Sequence, residues 1–132
     1  MKSPTVLFVC VHNAGRSQMA EAFFNQLAKG RARAISAGTQ PSNTVNPTVI
    51  KAMREMSIDL SGRKPRALTA EMMEQANRVV TMGCGVEGIC PATLVKSQED
   101  WDLEDPKGQP LEKVRQIRDR IRAMVQRMVE EL

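Results

Sequence analysis

The stretch Val9-Cys10-Val11-His12-Asn13-Ala14-Gly15-Arg16-Ser17 decides how the rest of the chain is interpreted. It ends the apolar run Thr5 to Val11 and leads into a helix-forming segment. A strand, a tight loop and a helix start in this order gather backbone N–H groups at the positive end of the helix dipole. The same field favours the thiolate form of Cys10, while Arg16 offers paired donors to a tetrahedral oxyanion. The stretch therefore predicts a cysteine that attacks a phosphate-like ion.

Composition limits the class of protein. The chain has 132 residues, 42% of them hydrophobic and 26% charged, which predicts one globular domain over residues 1–132. The net charge of +4 suits an anionic substrate, but three Phe, one Trp and no Tyr leave too few stacking residues for nucleic-acid binding. The apolar run near the N-terminus is too short for a signal peptide or a membrane span. We expect a cytoplasmic protein that does not bind membranes.

Hydrophobic periodicity predicts alternating strands and helices. The predicted strands are Thr5 to Val11, Arg33 to Ala37, Arg78 to Met82 and a fourth around Leu94 to Lys96; the predicted helices are Ser17 to Lys29, Asn46-Pro47 to Met56, a short one capped by Thr69 that runs to Ala76, and a long one from Pro110 onward. The inward face of the last helix is expected to carry Leu111, Val114, Ile117, Ile121, Met124, Val125, Met128 and Leu132.

This alternation predicts an α/β fold with a parallel sheet in the order 2-1-3-4. In that order strands 1 and 3 are neighbours, and ligands bind outside their carboxyl ends. The loops that carry Cys10 and Cys84 would then flank one crevice.

The other residues of the loop have simpler expected roles. Ser17 either donates its hydroxyl to the Cys10 sulfur or caps the helix, and both roles are compatible. Asn13 suits a left-handed loop position. His12, the single histidine, could be interpreted as a general base for Cys10, but a thiolate that the anion-binding loop already stabilises needs no base.

A proton donor is expected in the acidic segment Asp100 to Pro106. A carboxylic acid there would protonate the departing oxygen of the attacked ion. We favour Asp105, because Pro106 fixes its backbone; Asp102 and Glu104 are the alternatives.

Cys84 and Cys90 are separated by five residues in a glycine-rich segment. The spacing lacks the second ligand pair of a zinc site. A loop that refolds when a disulfide forms explains the pattern better, with two unrelated free thiols as the alternative. An odd number of cysteines, three, also argues against a permanent disulfide.

Taken together, these motifs resemble the arsenate reductases built on the low-molecular-weight protein tyrosine phosphatase fold, of the type recycled by thioredoxin. The matching pieces are Cys10 to Glu21, Ser36-Ala37-Gly38, Asn46-Pro47, Ile58-Asp59, Val79-Val80-Thr81, Cys84, Cys90-Pro91 and Asp105-Pro106. The resemblance implies a single-domain three-layer sandwich with a four-stranded parallel sheet.

The resemblance also implies residue roles. Cys10 would be the nucleophile, Asp105 the proton donor, and Cys84 with Cys90 the redox pair. The loop that binds the oxyanion would comprise Val11, His12, Asn13, Ala14, Gly15 and Arg16. Arsenate would be the substrate, with phosphate or sulfate as mimics. The reductant would be thioredoxin, with glutaredoxin or a low-molecular-weight thiol left open. We expect a monomer without a cofactor.

Electron counting separates reduction from hydrolysis. A phosphatase needs one cysteine, whereas taking arsenate to arsenite transfers two electrons and needs a second thiolate to attack the first sulfur. Three cysteines suffice for a relay from Cys10 to Cys84 to Cys90. The runner-up is a protein tyrosine phosphatase, although Lys107 follows Asp-Pro where those enzymes usually carry Tyr. A non-catalytic redox or anion-sensing module is the third hypothesis.

The chain departs from the family pattern at four places, one of which is the redox pair of Cys84 and Cys90, more closely spaced and richer in glycine than in relatives. Gly15 stands where relatives often have a further cysteine, and His12 where they often have glycine. Some relatives bind potassium behind the loop, and Asn13, Glu21 and Ser36 match that site. The carboxylate expected near Lys64 to Arg66 is replaced by basic residues. We therefore expect the charge of Arg66 to replace the cation, with no metal bound.

Overall fold

The protein is described by a computed structural model that covers residues 4–82, 98–101 and 103–132. Its elements in chain order are β1 (Thr5–Cys10), α1 (Arg16–Ala28), β2 (Arg33–Gly38), α2 (Pro47–Arg54), α3 (Ala70–Gln75), β3 (Arg78–Thr81), β4 (Gln98–Asp100) and α4 (Leu111–Glu130). The predicted bounds agree within about two residues for every element except β4. The expected strand at Leu94 to Lys96 lies outside the described residues.

The strands form a parallel sheet in the order β2-β1-β3-β4. In the centre β1 pairs with β2, which sets Cys10 beside Gly38, and with β3, which sets Val9 beside Thr81. The short β4 pairs with β3. The predicted α/β fold is confirmed, and Cys10 lies at the carboxyl end of its central strand.

Helices cover both faces of the sheet, which makes three layers. On one face α1, α2 and α4 contribute to the larger apolar cluster, in which Phe8 contacts Phe24 edge-on at 6.1 Å and Trp101 at 5.7 Å between ring centroids. On the other face α3 packs Met73 against strand residues such as Leu7 and Val9. Within the described part of the chain, no helix is both long and apolar enough to span a membrane.

Two helix starts follow the capping signals in the sequence. Asn46 Oδ1 accepts the Thr48 N–H at 2.9 Å at the start of α2, and Thr69 Oγ1 accepts the Met72 N–H at 3.1 Å at the start of α3. The expectation for Leu132 is wrong. It follows the end of α4 and is 49% exposed, because the helix stops before another turn could bring it back to the core.

An ion-pair cluster joins α2 to α4. Arg118 is buried, and its Nη1 donates to the Ala52 carbonyl and to Glu55 Oε1, both at 2.8 Å. Arg115 binds the same carboxylate with two nitrogens. The hydrogen bonds from Arg115 and Arg118 lower the pKa of Glu55 to about 2. This carboxylate therefore ties together two of the helices that contribute to the larger apolar cluster.

We predict that Glu55→Gln lowers the thermal unfolding midpoint by a few degrees at pH 7. The Glu55 carboxylate is favoured in the folded state, with a pKa of about 2 against a usual 4.5. Its contribution is therefore complete above about pH 4.5 and is lost as the pH falls through about 2. Thermal melts of native and variant protein from pH 7 to pH 2 should converge at the acid end.

Glu104→Gln is the matched control, because Glu104 is exposed and makes one ion pair, with Lys113 at 2.9 Å. Such single surface pairs contribute little to stability. An equal loss in both variants, or a Glu55→Gln deficit that persists at pH 2, would show that the cluster does not stabilise the fold as described.

Candidate active site

The loop between β1 and α1 is held from outside by the chain that follows β2. Carbonyl groups of the loop accept N–H groups of this segment at 2.8–3.1 Å; the pairs are Cys10 with Thr39, Val11 with Gln40, His12 with Ser42, and Ala14 with Asn46. A Cβ on Gly38 would lie 2.6 Å from the Val11 oxygen, so this approach requires glycine. Because a peptide's C=O and N–H point in opposite directions, these bonds direct the N–H groups of the same peptides toward the inside of the loop. There the Asn13 N–H binds the Cys10 sulfur, and the others remain available to an anion.

The Cys10 thiol is buried and has two donors beside it. Its Sγ lies 2.8 Å from Ser17 Oγ and accepts the Asn13 N–H at 3.2 Å. Ser17 Oγ itself accepts Asn13 Nδ2 at 2.6 Å, which leaves the hydroxyl proton free to point at the sulfur. The two contacts hold the sulfur in one position at the end of β1.

Asn13 is the centre of the polar network behind the loop. It is fully buried with φ at +51°, the left-handed conformation predicted from the sequence. Its Oδ1 accepts Gln18 Nε2 at 3.0 Å and the Arg66 backbone N–H at 2.9 Å. Its Nδ2 donates to Ser36 Oγ at 3.1 Å as well as to Ser17. The amide is therefore satisfied on every side and cannot rotate freely.

The network ends in a buried ion pair. Ser36 Oγ donates to Glu21 Oε1 at 2.9 Å, and Arg63 Nη1 contacts Glu21 Oε2. Glu21 is only 5% exposed, so an unpaired charge there would be costly. Burial, together with the charge of Arg66, lowers the pKa of Arg63, but a guanidinium remains protonated at neutral pH.

The prediction that Arg66 supplies the positive charge behind the loop is therefore wrong. The arginine that meets Glu21 is Arg63, whereas the Arg66 side chain is exposed and the residue contributes its backbone N–H to Asn13. Among the described residues, no group of three or more His, Cys, Asp or Glu side chains is placed to hold a metal ion.

A cavity of about 220 Å³ opens above the loop, and Cys10, Arg16 and Asp105 all line it. Arg16 is nearly buried, donates from Nη1 to the Leu103 carbonyl at 3.2 Å, and lies 3.8 Å from Asp105 through Nη2. Asp105 Oδ1 accepts the Lys107 N–H at 3.0 Å. The structure thus brings together the sulfur, the guanidinium and a carboxyl group around one space.

Neither alternative proton donor, Asp102 or Glu104, is observed at the cavity among the described residues. Glu104 is exposed and pairs with Lys113, not with Arg16, and Asp102 lies outside the described residues. Asp105 is thus the carboxylate of the described part of this segment that lies at the cavity.

His12 also lines the cavity, and its Nδ1 lies 3.2 Å from the Gln40 carbonyl. A carbonyl only accepts, so this contact requires a proton on Nδ1 and ties the ring to the wall. Nothing in the contacts of His12 links it to Cys10 as a base. Cys84 and Cys90, the predicted redox pair, lie outside the described residues.

Sequence reasoning missed Arg63 and the polar wall formed by Ser42 and Thr44. A signal for Arg63 existed: a glutamate on the inner side of α1 requires a nearby cation, and the basic segment after Leu60 offers one. Ser42 and Thr44 lie in an irregular segment whose path the sequence pattern does not predict.

The chain is similar in sequence and fold to known proteins. Glutaredoxin arsenate reductase from Synechocystis sp. is 38% identical over 127 residues, which is 94% of this chain and 95% of that protein. A solved structure of an arsenate reductase in the oxidized state is 37% identical, with a TM-score of 0.84 over 99% of this chain and 98% of that one. An arginine phosphatase structure is 26% identical, with a TM-score of 0.87 over 97% and 95% of the two chains.

The sequence profile of the low molecular weight phosphotyrosine protein phosphatase family matches residues 5–132. This span contains the sheet, the cysteine loop and the segment that carries Asp105. The chain belongs to the low-molecular-weight phosphotyrosine protein phosphatase family.

Proposed function

We propose that this chain reduces arsenate to arsenite. The observation that carries the proposal is the Cys10 sulfur, held by Ser17 and Asn13 at the floor of a cavity that also contains Arg16 and Asp105. This set of groups suits attack on a tetrahedral oxyanion. Relatives named arsenate reductase at 33–40% identity favour arsenate as that ion.

In the first step, the Cys10 thiolate attacks arsenic and an arsenic–oxygen bond breaks. The loop N–H groups and Arg16 bind the remaining oxygens and offset their charge. The departing oxygen needs a proton to leave as water, and the Asp105 carboxyl at the cavity wall is placed to donate it. The product is an arsenic–sulfur bond on Cys10.

In the second step, the Cys84 thiolate attacks the Cys10 sulfur. A Cys10–Cys84 disulfide forms, and the electron pair of the sulfur–arsenic bond stays with arsenic, which leaves as arsenite. The Cys90 thiolate then attacks Cys84 and releases Cys10 as a thiolate. The two electrons come from these thiols, and each exchange requires an accessible thiolate.

The resulting Cys84–Cys90 disulfide must be reduced from outside by a dithiol protein or a small thiol. Thioredoxin and glutaredoxin both supply such electrons. The name of the Synechocystis relative supports glutaredoxin as a candidate beside thioredoxin.

Phosphomonoester hydrolysis is the second candidate function. The similarity to an arginine phosphatase structure, with a TM-score of 0.87, favours it. The first step would be the same, with phosphorus in place of arsenic. Water would then release Cys10, and neither Cys84 nor Cys90 would take part.

We assign Arg63 a positioning role in the same reaction. Its charge offsets buried Glu21, which holds Ser36 and, through it, the Asn13 amide that orients Ser17 toward the sulfur. Without that charge, the buried Glu21 carboxylate would lack a cation and would shift toward other hydrogen-bond donors. That shift would weaken the hydrogen bonds from Glu21 through Ser36 and Asn13 to Ser17.

We predict that cysteine variants separate reduction from hydrolysis. In a single-turnover experiment without external reductant, the native protein should release one arsenite and lose two of its three thiols. Cys84→Ser should release no arsenite. Cys90→Ser should release one and then stop, because its disulfide remains on Cys10. Hydrolysis of p-nitrophenyl phosphate, where present, should persist in both variants and vanish in Cys10→Ser.

Arsenite and free thiols are counted in the same samples. Multiple-turnover reduction at the native rate by both Cys84→Ser and Cys90→Ser would refute the relay. A native protein that hydrolyses phosphomonoesters but releases no arsenite would establish the second candidate function instead.

We predict that Arg63→Met lowers the arsenate turnover rate by about tenfold or more and the free energy of unfolding by about 1–3 kcal/mol, because it leaves a buried carboxylate unpaired. The rate at which iodoacetamide alkylates Cys10 at pH 7 should fall. Urea unfolding, steady-state turnover and alkylation rates measure the three effects.

Arg66→Met is the matched control, since its exposed side chain lies three residues further along and its backbone N–H survives the change. Adding Glu21→Gln to Arg63→Met should recover stability, because the orphaned charge is then gone. Equal effects of Arg63→Met and Arg66→Met would refute the assignment.

A further inference from the structure

The imidazole ring of His12 is held against the wall of the cavity. His12 is half-buried and lines the space of about 220 Å³ together with Cys10 and Arg16. Its Nδ1 lies 3.2 Å from the Gln40 carbonyl, and its backbone carbonyl accepts the Ser42 N–H at 3.0 Å. The residue is thus attached to the segment that follows β2 through both its ring and its backbone.

The contact with Gln40 selects the tautomer of the ring. Because a carbonyl only accepts, Nδ1 carries the proton, and Nε2 of the neutral ring then holds a lone pair. The two ring nitrogens are separated by one carbon and direct their hydrogen bonds away from each other, so Nε2 is turned away from Gln40. Among the described residues, Gln40 is the one hydrogen-bond partner of the His12 side chain. Nε2 therefore remains an acceptor on a ring that lines the cavity.

The oxyanion-binding groups around the cavity donate protons. The loop N–H groups and the Arg16 guanidinium have no acceptor atom, and Asp105 must hold a proton to act in the proposed reaction. Hydrogen arsenate and hydrogen phosphate each carry one O–H, which needs an acceptor once the ion has left water. The hydroxyls of Ser42 and Thr44 also line the cavity and can either donate or accept. Nε2 of neutral His12 can only accept.

We propose that His12 is a substrate-recognition residue: its Nε2 accepts a hydrogen bond from the hydroxyl of a protonated oxyanion. The proposal rests on the proposed function for arsenate as the ion, and it names the protonated dianion as the form that is bound. Sulfate carries the same charge but no proton, so its oxygen would face the Nε2 lone pair and bind less tightly. Relatives with glycine at this position lack the acceptor, so the preference is a property of this chain.

Calorimetric titration of the full, reduced chain with inorganic phosphate and with sulfate at about pH 8 tests the proposal, since an ordinary imidazole is neutral there. Both ions are dianions at this pH, so the proton is the difference between them that the site can recognise. The native chain should bind hydrogen phosphate at least about fivefold more tightly than sulfate, the effect of one hydrogen bond.

His12→Asn is the variant that isolates Nε2. Its amide can replace Nδ1 as the donor to the Gln40 carbonyl, but it has no atom at the position of Nε2. Binding of hydrogen phosphate should weaken by about fivefold or more, while binding of sulfate stays within about twofold. The thermal unfolding midpoint should stay close to the native value. His12→Gln, whose longer amide reaches the position of Nε2, should recover part of the preference.

Three results would overturn the inference. The first is a native chain that binds the two dianions equally well. The second is equal weakening of both ions in His12→Asn, which would show that His12 only shapes the loop. The third is a preference that survives in His12→Asn but is lost in Ser42→Ala or Asp105→Ala, which would place the acceptor on another residue. Failure of the proposed function is measured separately, because the native protein would then release no arsenite.

Discussion

The hydrogen bond between Ser17 and Cys10 is the contact on which the site depends. It works only while Ser17 is turned toward the sulfur, and the Asn13 amide keeps it there. Asn13 is in turn held by Ser36, Gln18 and the Arg66 backbone. A single left-handed residue therefore connects the Cys10 sulfur at the end of β1 to α1, to β2 and to the segment before α3. The parallel sheet provides the geometry that lets all of these meet at one edge.

Charge is arranged in two layers around this contact. On the cavity side, Arg16 lines the space above the loop, and Asp105 Oδ2 lies 3.8 Å from its guanidinium. On the far side, Arg63 and Glu21 form an internal pair behind the loop. Both charges of the inner pair belong to the chain itself. The outer layer lines the cavity, so the pair behind the loop is separate from the charged groups that face the cavity.

Much of this could be predicted from the sequence, because the strongest signals are local. The β1–loop–α1 stretch, the caps at Asn46 and Thr69, and the left-handed Asn13 each follow from a few neighbouring residues. The rest depends on contacts between distant segments. Arg63 and Arg66 are equivalent in a basic run, and only the path of the chain after Leu60 selects Arg63. The roles of Cys84 and Cys90 are inferred from the two electrons that arsenate reduction requires.

The central claim is that the loop holds Cys10 as the nucleophile of an oxyanion site, and the reactivity of that thiol tests it most directly. In a Cys84→Ser, Cys90→Ser protein Cys10 is the only thiol. We expect iodoacetamide to alkylate Cys10 at pH 7 faster than it alkylates a small free thiol, phosphate to suppress this reaction, and Ser17→Ala to slow it. An alkylation rate no faster than that of the free thiol, and unchanged by both phosphate and Ser17→Ala, would contradict this claim.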